Sequence, residues 1–304
     1  MNEKVLITGG TGMVGRSLNF DNCIKVSSKD FDLRIPKATF ELFEKENPQF
    51  VVHCAAKVGG LIANVENKGE FYYDNIMINT NVLEASRIGK VKKVLSFLST
   101  CVFPENATYP LTEEQMHNGE PHSSNYPYAY AKRMIDIQSR AYREQYGCNF
   151  ISVIPVNLYG PHDNFNLNNS HVVPALIRKC YEAKKNKSSL IVWGSGKPLR
   201  EFVYIDDISY LTSWALENYQ EEEPIIFTSS QETSIEELVQ VICKSLNFKG
   251  NVIYDNSKPD GQIRKPSSNH KICKYLPNFK FTSLEEGISN TCEWFVKNYE
   301  GLRK

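Results

Sequence analysis

The sequence predicts an α/β fold: a Rossmann-type, doubly wound parallel sheet followed by a smaller mixed α/β C-terminal lobe. Three observations carry this. Strand and helix patterns alternate over the first 155 or so residues. A glycine-rich turn closes the first strand pattern and opens a helix. After Pro155 the rhythm loosens, and loops rich in Asn, Pro and Gly separate the elements. Strands that alternate with helices make right-handed βαβ units, and these give a parallel sheet covered on both faces.

Each element follows in order. Residues 4–8 form a short apolar run that ends in Gly9-Gly10, a strand and its turn. Residues 23–26 predict a second strand. Residues 37–47 set Phe40, Leu42 and Phe43 near one helical face after Pro36. Residues 50–54 predict a third strand, 70–88 a long helix, 93–98 a fourth strand, 128–146 a second long helix and 150–154 a fifth strand. Beyond Pro155, helices are expected at 172–185, 206–218, 234–247 and 284–299, with strands at 189–193, 201–205 and 225–228. The expected domains are 1–155, with later segments returning to it, and 156–304.

Composition narrows the function. Lys+Arg and Asp+Glu are each 35, so the formal charge is zero, which excludes attachment to nucleic acid or anionic lipid by bulk positive charge. No apolar run approaches the ~18 residues of a spanning helix. The start, Met1-Asn2-Glu3-Lys4, leads straight into the first apolar run, so no signal peptide is expected and the location reads as cytoplasmic. Eight cysteines with no C-x-x-C pair read mostly as buried free thiols in a reducing compartment. The six histidines have no metal-ligand spacing, and the closest pair, His117 and His122, reads as part of a surface loop.

Gly9-Gly10-Thr11-Gly12-Met13-Val14-Gly15 has the spacing G-x-x-G-x-x-G between a strand and a helix. Small residues let the backbone turn tightly and approach a diphosphate, which the free amides of a helix N-terminus stabilise. This predicts a dinucleotide site. At the end of the second strand, Ser27-Ser28-Lys29 in place of an acid favours NADP over NAD. Asp30 lies near the spacing of a ribose-binding acid and keeps NAD open, while Asp32-Leu33 offer an adenine edge. Arg16, Lys25, Lys29 and Arg34 are candidate phosphate partners.

Tyr128 and Lys132 form Y-x-x-x-K, and on a helix i and i+4 share a face. An ammonium lowers the pKa of a nearby phenol from its reference of ~10. Such a phenol can exchange a proton with a carbinol oxygen while hydride moves at carbon. Lys132 can also bond a nicotinamide ribose, and Ser99, at the end of the fourth strand, is the second donor to the carbonyl oxygen.

Together these residues resemble the extended short-chain dehydrogenase/reductase superfamily. Ala55-Ala56-Lys57-Val58-Gly59-Gly60, residues 157–165 (NLYGPHDNF), residues 170–176 (SHVVPAL), Val192-Trp193-Gly194-Ser195-Gly196 and Lys258-Pro259-Asp260-Gly261 extend the resemblance to the GDP-L-fucose synthase family, from the first strand to the last helix. The resemblance implies an NADPH-dependent 3,5-epimerase and C4-reductase acting on a GDP-4-keto-hexose, a homodimer built on the two long helices, and a product used in polysaccharide biosynthesis. It implies Cys101 and His171 as the acid–base pair of epimerisation, with Tyr128, Lys132 and Ser99 at the reduction. It implies cofactor contacts at the glycine turn, Ser28, Asp32, Leu33, Ala55, Ala56, Leu98, Ser99, Lys132, Pro155, Asn157, Leu158 and His171. It implies substrate contacts at Lys57, Asn157, Lys179, Trp193, Arg200 and Asp260. The chemistry is consistent: a C4 ketone acidifies C3–H and C5–H, and a cysteine of pKa ~8.5 with a histidine near neutrality can move those protons.

The sequence also departs from that family. The stretch from Gly15 to the second strand is short, so the first helix is expected to be short. Thr11 and residues 26–28 stand where arginines are usual, and Lys179 replaces an arginine. The alternatives are a C4-ketoreductase on a related GDP-4-keto sugar such as a heptose, an inactive nucleotide-binding member, and an NAD-holding dehydratase or 4-epimerase. Cys101-Val102, where a dehydratase carries acids, argues against the last.

Overall fold

The computed structural model describes residues 3–302, so Met1 and Asn2, with the reading of the start that rests on them, lie outside the described residues. In chain order the elements are β1 (Val5–Thr8), α1 (Met13–Ser17), β2 (Cys23–Val26), α2 (Pro36–Glu46), β3 (Phe50–His53), α3 (Leu61–Glu66), α4 (Lys68–Ile88), β4 (Lys93–Phe97), α5 (Tyr126–Tyr146) and β5 (Phe150–Pro155). Then come β6 (Asn157–Tyr159), α6 (Val172–Asn186), β7 (Leu190–Trp193), β8 (Leu199–Tyr204), α7 (Ile205–Asn218), β9 (Ile225–Phe227), β10 (Glu232–Ser234), α8 (Ile235–Ser245), β11 (Val252–Asp255), α9 (His270–Tyr275) and α10 (Leu284–Asn298).

The chain divides into two compact units. One takes the chain up to Thr108, then Thr112–Pro155 and Ile208–Phe227; the other takes Tyr109–Leu111, Val156–Asp207 and the chain from Thr228 onward. The first unit holds a six-stranded sheet, β2-β1-β3-β4-β5-β9, with every pairing parallel. Its inner strands β1, β4 and β5 are buried at every position, as expected of a sheet covered on both faces. The chain leaves β1 toward β2 and returns across it to β3, so the order reverses between β1 and β3. In open α/β sheets the ligand crevice forms at the carboxyl ends of strands at such a reversal. Thr8 and His53 end those two strands, and Phe97 ends the neighbouring β4.

Helix α1 has five residues, as the short connection to β2 required. The two long helices, α4 and α5, have 21 residues each and pack together. Helix α4 buries Asp74, Asn75, Asn79, Asn81 and Ser86 beside Phe71, Val82, Leu83 and Ala85, so its inner face mixes polar and apolar groups. That blurs the apolar period there, and the helix begins at Lys68, slightly ahead of the expected start at residue 70.

The second unit holds a three-stranded sheet, β10-β8-β6, and the pair β11-β7. Strands β6, β10 and β11 and helices α3 and α9 have no counterpart in the sequence reading. They are three to six residues long, too short for a hydrophobic period to show. Helix α8 starts with a capping box in which Ser234 Oγ accepts from the Glu237 amide and Glu237 accepts from the Ser234 amide. The cysteines correct one expectation: none of the eight is in a disulfide, but only Cys180 and Cys292 are buried and Cys273 is exposed.

Phe227 on the edge strand β9 is fully buried. Phe227→Ala should cost about 3–5 kcal/mol, measured as a lower urea midpoint of unfolding; a loss under about 1 kcal/mol would show that this edge is not part of the core.

Candidate active site

The glycine turn is built by close approach. Gly9 has φ +70°, and a Cβ there would lie 2.8 Å from the Ala55 amide nitrogen. At Gly15 a Cβ would lie 2.4 Å from the Gly9 carbonyl oxygen. The turn therefore folds onto itself and onto the chain after β3, with Ala55 beneath it. Gly12 is the N-cap of α1, and Met13, Val14 and Gly15 supply the first-turn amides, which have no intrahelical acceptor. Thr11 is exposed, and its carbonyl accepts from Arg16 Nε at 2.9 Å.

The loop after β2 separates the candidate cations. Arg34 forms a fork with both oxygens of Asp32, at 2.9 and 2.7 Å, and its Nη1 reaches Asp74 at 3.2 Å. Arg34 is thus paired with carboxylates, and Asp32 is held below its usual pKa by that guanidinium. Lys25 Nζ donates to the Arg16 carbonyl. Asp30 also turns inward: its Oδ2 accepts from the Ser27 amide and hydroxyl, closing a turn instead of facing a ribose. Leu33 is buried, and its carbonyl accepts from Asn81 and Thr39. Ser28, Lys29 and Arg16 stay exposed.

After β3, Ala55 donates its amide to Thr8 Oγ1, and Ala56 leads to Lys57. Asn75 holds the Lys57 backbone at both its amide and its carbonyl, each at 3.0 Å. The Lys57 ammonium bonds Glu70 and Asp74 on α4, at 2.6 and 2.9 Å. The resemblance puts Lys57 in the pocket lining; in this structure its ammonium pairs with these carboxylates.

Leu98 is buried and follows β4, and Ser99 begins a short 3-10 turn over 100–102. Ser99 Oγ accepts from the Cys101 amide at 3.5 Å, so the serine fixes the backbone that carries the thiol. On α5, Tyr128 is half-buried and Lys132 is buried. Lys132 Nζ donates to the Phe97 carbonyl at 2.8 Å and lies 6.0 Å from the centre of the Tyr128 ring. Burial pulls the ammonium down to about 8. Burial, reinforced by the negative charge a Cys101 thiolate would carry, pushes the Tyr128 phenol above its ordinary range. The expected depression of the phenol by the ammonium is not among the causes that act on it; desolvation dominates, and Tyr128 stays a neutral proton donor. Cys101 is electrostatically coupled to both groups.

Pro155 ends β5 and the first unit's share of this stretch. In the second unit, Asn157 and Leu158 open β6, and Asn157 Nδ2 donates to the Glu201 carbonyl. His171 is the N-cap of α6, but its side chain makes no cap bond; surrounding protein lowers its pKa through desolvation. Lys179 on α6 sets its Nζ 4.3 Å from the centre of the Trp193 ring, with Lys258 Nζ 5.7 Å from it. Trp193 is 52% exposed at the end of β7. Asp260 accepts from the Ser195 amide at 2.6 Å and from its hydroxyl at 2.8 Å. Arg200 on β8 donates to the Leu199 carbonyl. Burial lowers the pKa of both Lys179 and Arg200. Two lysines, Lys179 and Lys258, over a half-exposed indole suit an anionic, aromatic ligand. Among the described residues no cluster of His, Cys, Asp and Glu could hold a metal ion, and no helix is long and apolar enough to cross a membrane.

The sequence reading missed Arg133, His53 and Asn79. Arg133, next to Lys132, is buried and donates to the carbonyls of Val102 and Gly119, at 2.6 and 2.7 Å. His53 and Asn79 form a buried pair at the end of β3. The available signal was the run of amides at helical spacing on α4, Asn75 and Asn79, which an amphipathic reading passes over.

A parallel sheet with a glycine turn at its switch point and a buried lysine one helical turn from a tyrosine defines a dinucleotide-dependent oxidoreductase or epimerase. A model of the NAD dependent epimerase/dehydratase family matches residues 5–228, and the chain belongs to that family, in its GDP-L-fucose synthase branch. It is 46% identical to the GDP-L-fucose synthase of Dictyostelium discoideum, over 99% of this chain and 98% of the relative. Among solved structures it is similar to a GDP-L-fucose synthetase of Naegleria fowleri bound to NADP, with a TM-score of 0.96 and 45% identity over 100% of this chain and 95% of that one. It is also similar to a GDP-6-OMe-4-keto-L-xylo-heptose reductase of C. jejuni, at 0.89 and 28%, over 98% of each chain.

Burial places Lys132 and Lys93 both at about 8. Each holds its proton below that pH and loses it above. In protein with 13C-labelled lysine, two side-chain resonances should titrate near pH 8, and Lys132→Met should remove one. A spectrum with every lysine titrating near the ordinary ~10.4 would contradict the buried site.

Proposed function

We propose that the chain catalyses NADPH-dependent 3,5-epimerisation and C4 reduction of a GDP-4-keto-6-deoxyhexose, giving GDP-L-fucose or a close relative. The observation that carries this is the arrangement at the end of β4: the Cys101 amide sits on Ser99 Oγ, and Lys132, bonded to the Phe97 carbonyl just before it, lies 6.0 Å from the Tyr128 ring, which joins a proton-transfer thiol to a reduction pair. A plain C4-reductase needs the pair and not the thiol. The identity to the Dictyostelium relative exceeds that to the heptose reductase, 46% against 28%, and favours the same reading.

The residues fit the cofactor. The backbone cradle at Gly9 and Gly15 leaves no room for a Cβ, and α1 offers first-turn amides to a diphosphate. Ser28, Lys29 and Arg16 offer hydroxyl and cations to a 2′-phosphate, while Asp30 is engaged by Ser27. NADPH, when bound, supplies the hydride for C4.

The protein groups do the rest. One of Cys101 and His171 removes the proton alpha to the ketone, the electron pair moves into an enolate, and the other returns a proton to the opposite face; the same exchange then inverts the second centre. Ser99 and Tyr128 donate to the C4 oxygen throughout, so the enolate charge meets oriented dipoles. As hydride reaches C4, the neutral Tyr128 passes its proton to the forming alkoxide. Lys132 stabilises the phenolate left behind and bonds the nicotinamide ribose. Lys179, Trp193, Arg200 and Asp260 hold the GDP end, the cations on the diphosphate and Trp193 as an aromatic wall.

We also propose a homodimer through α4 and α5, in a reducing cytoplasm that suits eight cysteines outside any disulfide. Tyr73 and Ile88 on α4 and Tyr126, Ile137 and Tyr146 on α5 are exposed apolar groups on helices already packed together. Ile137→Asp should shift the sedimentation mass to that of one chain; an unchanged mass, or a wild type that is already monomeric, would contradict this face.

The test of the function is an incubation with GDP-4-keto-6-deoxymannose in D2O, with NMR of the sugar. Wild type without NADPH should take deuterium at C3 and C5; with NADPH it should give the 3,5-inverted, C4-reduced product. Tyr128→Phe should keep measurable exchange and lose reduction at least about 100-fold; Cys101→Ala should lose exchange. Reduction without any exchange would reduce the activity to a C4-ketoreductase.

A further inference from the structure

Lys132 does not stand alone in the core. Beside it, at the end of β3, lies His53, fully buried and close enough for the lysine charge to act on its imidazole. Its hydrogen bonds fix both tautomer and direction. Asn79 Nδ2 donates to the Ala131 carbonyl at 3.1 Å, which sets the orientation of that amide. Asn79 Oδ1 is then an acceptor, so His53 Nε2, 3.1 Å away, carries the hydrogen. The ring is neutral, because burial and the Lys132 charge drive its pKa down to about 3. Nδ1 is therefore the lone-pair nitrogen, and it accepts from Thr8 Oγ1 at 2.8 Å. Thr8 Oγ1 in turn accepts from the Ala55 amide at 3.2 Å.

The result is a one-way chain of donors, Ala55 to Thr8 to His53 to Asn79 to Ala131, with no slack at any link. It begins under the glycine turn, where Ala55 meets Gly9, and ends one residue before Lys132. Thr8, His53, Asn79 and Ala131 are all essentially inaccessible to solvent. A buried polar chain of this kind is costly unless every member is satisfied, and when satisfied it fixes one geometry.

We propose that His53 and Asn79 are positioning residues for the reduction: they lock the turn of α5 that bears Lys132 to the strand end and the loop that carry the cofactor cradle. The inference rests on the proposed C4 reduction and adds two residues to it. Neither side chain touches the reacting atoms. A neutral imidazole also leaves Lys132 as the charged group beside a Cys54 that burial keeps a thiol and a Tyr128 that burial keeps a neutral phenol.

The test separates positioning from mere stability. Removing one partner leaves the other buried and unsatisfied, whereas replacing both by apolar groups of similar shape is close to neutral for the fold. Asn79→Leu alone should lower the melting temperature and the turnover. The double variant His53→Leu/Asn79→Leu should regain part of the stability, the rest being withheld by the buried Thr8 hydroxyl that loses its acceptor, and should still reduce the 4-keto sugar at least about tenfold more slowly, in kcat, with the KM for the nucleotide sugar little changed. His53→Gln, whose amide nitrogen can still donate to Asn79, should keep most of the wild-type kcat. Deuterium exchange at C3 and C5 without NADPH, which does not call on Lys132, is the internal control and should stay near wild type in all three. A double variant that reduces at the wild-type rate, or a kcat that simply follows melting temperature across the set, would overturn the proposal. If wild type itself fails to reduce the sugar, the functional reading fails instead.

Discussion

The site turns on one buried charge. Lys132 carries an ammonium into a part of the core that offers it one carbonyl, that of Phe97, and no carboxylate among its hydrogen bonds and ion pairs. Desolvating a charge this far is unfavourable, and its pKa falls accordingly. The group still keeps its proton at neutral pH, so the fold maintains a cation one turn from a phenol and beside a strand end. The surroundings follow from that constraint. His53 is held neutral next to it, Cys54 is pushed up to about 12 by burial and remains a thiol, and Tyr128 keeps its proton. A negative charge arriving on a substrate oxygen or on the tyrosine is what this arrangement lacks, and reduction of a carbonyl delivers it.

The second unit repeats the logic with a different partner. Lys179 and Arg200 are cations whose burial disfavours their charge, and Trp193 is an aromatic ring left half in solvent. Asp260 lies near Arg200 but gives its two oxygens to Ser195, so it shapes the loop after β7. In the proposed function a nucleoside diphosphate answers both needs, with phosphates for the cations and a base for the ring. The ion chain Asp32–Arg34–Asp74–Lys57–Glu70 in the first unit is the contrast: there each cation is paired with carboxylates.

Much of the fold was legible in the sequence, for physical reasons. The strands of the parallel sheet are buried on both faces and read as unbroken apolar runs, and Gly9 and Gly15 sit where a Cβ cannot. Tyr128 and Lys132 fall at helical spacing, and the helix is there. What stayed hidden was polar and internal. Asn75 and Asn79 look like solvent-facing residues, yet they face inward because they satisfy backbone groups of Lys57 and Ala131. Lys57 and Arg34 look like free cations, and only the fold brings Asp74 to both. The Tyr128 shift runs opposite to expectation for a related reason: spacing reveals that an ammonium is near, but not how much water the fold has removed.

The most direct measurement is a crystal structure of the complex with NADPH. In that complex Lys132 Nζ should lie within hydrogen-bond distance of the nicotinamide ribose hydroxyls, with the Tyr128 hydroxyl facing the nicotinamide and the diphosphate seated on the turn from Gly9 to Gly15. A dinucleotide bound elsewhere, or a Lys132 side chain that stays on the Phe97 carbonyl out of reach of the ribose, would contradict it.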